Sequence, residues 1–162
     1  MSAAPVQTPK QKELTDKVIA WLEGGAPHTG NMVGFSMHHF CQPVVKGWLI
    51  SGPLLKLEYV YSVDKENYDE ATCGTVHCIG GAIIAFAAKR QKKSYDTLVH
   101  STRKSIEVVA GNLIGMTSKR DAYEMFLNWN FCILHPTPQQ AAHVLRTWQE
   151  TGIVDWTGAC DV

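Results

Sequence analysis

Cys73-Gly74-Thr75-Val76-His77-Cys78-Ile79-Gly80-Gly81-Ala82-Ile83-Ile84-Ala85-Phe86-Ala87-Ala88 is the stretch on which the fold turns. After Thr75 it is apolar on nearly every side for about four turns, and a helix that is apolar all round belongs in the middle of a fold. The pattern predicts a buried central helix over residues 75–89, with Thr75 as its cap and Gly74 supplying a turn. Gly80 and Gly81 each cost roughly 1 kcal/mol of helix propensity relative to Ala. Their expected use is to let another backbone come close.

The flanking sequence supplies what such a helix packs against. Upstream, Leu14, Val18, Trp21 and Leu22 recur at helical spacing between Lys10 and Glu23, and Gly24-Gly25 ends the run. Between Val44 and Val63 the apolar pattern changes to period two, which predicts a small β-hairpin over residues 44–63 with Ser51-Gly52-Pro53 at its turn. Downstream, three further helices are expected. One starts near Thr97 or Ser101 and stops at Gly115; one is capped by Thr117 or Ser118 and runs to Leu127; the third starts at Thr137-Pro138-x-Gln140. The expected fold class is α+β and predominantly helical, with about five helices around the central one. Residues 1–9 read as a flexible lead-in to one globular domain over 10–162.

Composition narrows the function classes. The chain has 162 residues, 45% of them hydrophobic and 19% charged, with 15 basic and 15 acidic side chains, so it is neither a disordered tail nor a polybasic arm. No apolar run reaches the roughly 18 residues of a membrane span, and Met1-Ser2-Ala3-Ala4-Pro5 lacks the regions of a signal peptide. A cytoplasmic protein with no membrane partner is expected. Cys41, Cys73, Cys78, Cys132 and Cys160 then read as thiols, because an odd set without a secretion signal is not a disulfide frame. The neutral total hides segregation: residues 1–88 carry a net −2, residues 89–120 a net +6 and residues 121–162 a net −4.

The motifs carry a resemblance. Cys73-Gly74-Thr75-x-x-Cys78-Ile79-Gly80-Gly81 resembles the Cys-Gly-Thr-x-x-Cys-Ile-Ala-Gly signature of a family of small uncharacterised bacterial and phage proteins. Phe35-Ser36-Met37-His38-His39-Phe40 is similar to the element that precedes that signature. Ala110-Gly111-Asn112-Leu113-Ile114-Gly115-Met116 is similar to its Ala-x-x-Leu-Leu-Gly-Leu helix end, and Thr137-Pro138-Gln139-Gln140-Ala141-Ala142 with Gly152-Ile153-Val154-Asp155-Trp156 to its C-terminal helix and close. The similarity spans most of residues 10–156, with the 44–63 hairpin as an insertion; Gly80 stands where Ala is usual and Ala82 where an aromatic often stands. The resemblance implies a fold outline and no particular chemistry.

Chemistry is therefore read from side chains. The leading expectation is a small non-enzymatic binding or accessory protein acting on an unknown protein or small ligand. A first alternative is a thiol hydrolase: Cys73 just before the central helix would be favoured as thiolate by the helix dipole, with His77 or His135 as base. His100 or His143, with Asp96, Asn128 or Asp155 as orienting group, offer further partners. No cofactor is expected outright, although His38, His39, Cys41, Cys73, His77 and Cys78 hold enough nitrogen and sulfur for tetrahedral zinc. Against both stands the plain alternative that Cys73 and Cys78 are small buried hydrophobes. A second alternative is a phosphate or nucleic-acid binder using Lys89, Arg90, Lys92, Lys93, Arg103 and Lys104 of the basic segment, which also holds Lys119 and Arg120. With Tyr95 as its sole aromatic, that segment offers little base stacking for single strands.

Overall fold

The computed structural model describes residues 4–27, 29, 32–35, 37, 42–45, 48–49, 74–100, 104–127 and 135–162. Six α-helices make up most of what is described: α1 (Pro9–Glu23), α2 (Ile79–Gln91), α3 (Tyr95–His100), α4 (Ile106–Ile114), α5 (Lys119–Phe126) and α6 (Pro138–Thr151). Among the described residues, four short strands lie between α1 and α2: β1 (Met32–Phe35), β2 (Gln42–Val45), β3 (Trp48–Leu49) and β4 (Gly74–His77), in the order β1-β4-β2-β3.

The expected α+β class built on a 44–63 hairpin is corrected by this arrangement. Val44 to Ile50 was expected to form one strand, but Val44 pairs with Leu49 and Val45 with Trp48, so the chain turns back on itself inside that run. Alternating apolar residues alone did not reveal that break. The expected second strand, residues 55–63, lies outside the described residues. The described body is helical, and its strands are two to four residues long.

A second correction concerns the central helix, expected over 75–89 and found at Ile79–Gln91. Residues 74–77 are strand β4, parallel to β1 and antiparallel to β2. The β-branched pair Thr75-Val76 suits a pleated strand better than a first helical turn. Cys78, not Thr75, is the N-cap: its backbone is extended and its Sγ accepts a hydrogen bond from the Gly81 N–H at 3.4 Å. The helix itself is as apolar as expected, with Ile79, Ala82, Ile83, Ile84 and Ala87 fully buried.

Around α2 the packing follows from large side chains placed at its flanks. Trp21 of α1 meets Phe35 of β1 and Phe86 of α2 edge-on, with ring centroids 6.3 and 6.1 Å away, and its indole N–H donates to the Pro27 carbonyl at 2.8 Å. Such edge-to-face pairs add roughly 0.5–1.5 kcal/mol beyond the area they bury. Helix α1 also packs along α6, where Gln149 donates to Asp16 at 2.9 Å and Arg146 pairs with Glu23. Gln7, in the segment preceding α1, donates to the Ile114 carbonyl at 2.6 Å and to Thr15 Oγ1 at 2.9 Å, tying that segment to the end of α4.

Punctuation governs the C-terminal helices. Thr137 and Gln140 form a reciprocal capping box at the start of α6, and Gly152 ends it at φ 73°. Gly115 ends α4 at φ 87°. The single helix expected from Thr97 or Ser101 to Gly115 is instead two, α3 and α4, with Ser105 at the N-cap of the second. Gly111 brings α4 and α5 together: a Cβ there would stand 3.3 Å from the Ala122 Cβ and 3.4 Å from the Met116 Cβ. Trp156 is buried and donates to the Glu124 carbonyl at 3.1 Å, docking the C-terminal tail on α5.

Candidate functional site

The head of α2 was the first place expected to hold chemistry. Cys78 is completely buried and caps its own helix, so its thiol is part of the packing. Burial in apolar surroundings makes a thiol inert rather than nucleophilic. Cys73 lies outside the described residues, as do His38, His39 and Cys41; His77 is described only as a strand position in β4. With the helix starting at Ile79, the dipole argument attaches to Cys78 rather than to Cys73. His135 is half-buried just before the α6 cap, and His143 sits within α6. Among the described residues, no group of three or more His, Cys, Asp or Glu is placed to hold a metal ion.

The basic segment divides into two kinds of cation. Lys89 and Arg90 occupy the last turn of α2, where positive charge complements the carbonyl end of the helix, and Arg90 also donates to the Lys10 carbonyl at 2.8 Å. Lys92 is the left-handed C-cap at φ 53°. Arg120 forms an ion pair with Glu124 one turn on, at 2.8 Å; that hydrogen bond and the charge behind it push the guanidinium further up from its already high pKa. These four have local structural roles. Arg103 lies outside the described residues.

Lys93, Lys104 and Lys119 are placed differently. Lys104 and Lys119 line a cleft of about 520 Å³ between α4 and α5, together with Ser105, Glu107, Val108, Asn112, Met116, Thr117, Ser118, Ala122 and Tyr123. Lys93 lines an adjoining cavity of about 380 Å³ that shares Lys104 and Asn112 with the first. Both helices begin at the larger cleft, because Ser105 caps α4, Ser118 caps α5 and both serines line the wall. The Ser118 hydroxyl accepts from the Asp121 N–H at 3.1 Å, whereas Ser105 makes no side-chain cap bond. The leading N–H groups of a helix have no partner within the helix, so two starts at one cleft concentrate donors and positive dipole there.

Of the six expected anion-binding residues, the structure therefore brings Lys93 and Lys104 to the cavities and assigns Lys89, Arg90 and Lys92 to the end of α2. Ser105, Asn112 and Tyr123 were not among the expected site residues, and Lys119 was expected only as a member of the basic segment. Beside the charge of the basic segment, the cap signal at Thr117-Ser118 was the clue in the sequence, since it marks where a helix start exposes backbone donors. Among the described residues of the cleft wall, Glu107 is the one carboxylate.

No family model, curated protein or solved structure matches this chain.

Proposed function

We propose that the protein is a small non-enzymatic binding protein that takes a phosphate-bearing ligand in the cleft between α4 and α5. The observation that carries this reading is the pair Lys104 and Lys119 in the wall of a 520 Å³ cleft at which both helices begin. That volume falls within the roughly 300–1,000 Å³ usual for small-ligand sites. Cations, hydroxyls and helix starts are the elements that hold phosphate elsewhere in proteins. A cytoplasmic setting suits this reading, as does the absence of any helix, among the described residues, long and apolar enough to cross a membrane.

Isothermal titration with inorganic phosphate at low and high salt tests the proposal. Binding should be measurable at about 20 mM salt and weaken toward 0.2 M, as screening requires of exposed charges. The Lys104→Ala, Lys119→Ala double variant should bind at least about tenfold more weakly, since a hydrogen bond to a charged group contributes roughly 1.5–3 kcal/mol. Unchanged affinity in that variant would remove the cleft from consideration.

A further inference from the structure

We infer that the ligand of the α4–α5 cleft is a phosphomonoester carried by a sugar and a flat heteroaromatic ring, a nucleoside monophosphate being the simplest such molecule. The inference rests on the phosphate-binding reading above and adds the rest of the ligand. A bare phosphate leaves most of a 520 Å³ cleft empty, so the remaining wall is informative.

That wall is sorted by chemistry. Lys104, Ser105, Ser118 and Lys119 sit at the helix starts, while Val108, Met116 and Ala122 supply apolar surface. Tyr123 lines the cleft yet is 52% exposed, so a large part of its ring remains open to an incoming planar group. Base stacking on an aromatic ring contributes about 1–3 kcal/mol and is indifferent to which base it is. Lys119 and Tyr123 are four apart on α5 and therefore share one face, roughly 5–6 Å between their Cβ atoms. A sugar spans that interval with its phosphate at the lysine and its ring at the tyrosine. Glu107 fits the same arrangement: it opposes a second negative charge but accepts hydrogen bonds from sugar hydroxyls. Met116, buried in the cleft wall, adds a soft thioether to the apolar side.

The test compares titrations of the four nucleoside monophosphates, ribose 5-phosphate, adenosine and inorganic phosphate against the full chain, alongside Tyr123→Ala and Tyr123→Phe. At least one nucleoside monophosphate should bind about tenfold or more tighter than inorganic phosphate. Tyr123→Ala should lose about tenfold for that nucleotide and nothing for phosphate, and Tyr123→Phe should restore it. Equal affinity for phosphate and every nucleotide, or a Tyr123→Ala variant that binds nucleotide as well as the wild type, would overturn the ring assignment while leaving the phosphate reading in place. No binding in any arm would overturn both. Circular dichroism of each variant separates lost binding from lost fold.

Discussion

The head of α2 and the cleft between α4 and α5 are both places where a helix begins beside groups capable of chemistry, and they are opposites in what surrounds them. At α2 the capping atom is the sulfur of a fully buried cysteine, followed by Ile79, Gly80 and Gly81, all buried. At α4 and α5 the caps are serines, the flanking residues are exposed lysines, and the wall encloses open volume. The dipole is common to both, so it does not decide which one meets a ligand. Access differs: the start of α2 is roofed by its own core, whereas the starts of α4 and α5 open on a cleft, as a helix start must if its N–H groups are to meet a ligand.

The largest expected effect sharpens the packing half of this contrast. Ile83→Ala removes a fully buried side chain from the middle of α2 and should cost about 2–5 kcal/mol in chemical denaturation. The Lys104→Ala, Lys119→Ala pair lies on exposed side chains and should cost about 1 kcal/mol or less, while under the proposed function it should weaken phosphate binding about tenfold. A double variant as unstable as Ile83→Ala would erase the distinction between the two regions.

Reactivity offers a second break point. Native Cys78 should be alkylated by iodoacetamide on the order of a hundredfold more slowly than the exposed Cys160, because reaching it requires opening the structure. Rapid labelling of Cys78 at neutral pH would mean the head of α2 is accessible after all. A smaller effect is expected at Lys92, which holds φ 53° as a non-glycine cap; Lys92→Gly should stabilise the protein by about 1 kcal/mol in thermal unfolding. If Lys92→Gly were to weaken phosphate binding, the cation would belong to the site and not to the helix end.

The smallest effect is electrostatic and lies away from both regions. Burial acts to raise the Asp16 pKa, but hydrogen bonds from Lys12 and Gln149 and the charges of Lys12 and Arg146 outweigh it and hold the carboxyl below 3.8. A carboxyl lowered by folding contributes stability above its unfolded pKa and loses it as pH falls through the folded value. Between pH 5 and about 3 the wild type should therefore lose slightly more stability than Asp16→Asn, measured by urea midpoints.

How much of this was readable in the residues depended on the kind of signal. Capping chemistry is local, and Thr137-Pro138-x-Gln140, Ser118, Gly115 and Gly152 act at the positions their residue types indicate. The start of α2 was misplaced because apolar residues suit a buried strand and a buried helix equally, and only the pairing of Gly74–His77 with β1 and β2 distinguishes them. The 44–63 hairpin failed for the related reason that period two does not say where a strand turns. The cleft was half visible: the net charge of +6 over residues 89–120 pointed to the segment, but not to which lysines face a cavity. That depends on Gly111, which lets α4 and α5 approach, and on the break between α3 and α4 at Ser105.

The proposed function puts the working surface at the α4–α5 cleft and leaves the head of α2 to packing. Amide chemical shifts followed by nuclear magnetic resonance during a phosphate titration test it most directly. Shifts concentrated at residues 104–108 and 117–123, with residues 78–84 unmoved, are the predicted result. Shifts centred on Cys78 to Ile84, or spread evenly over the exposed lysines, would contradict it.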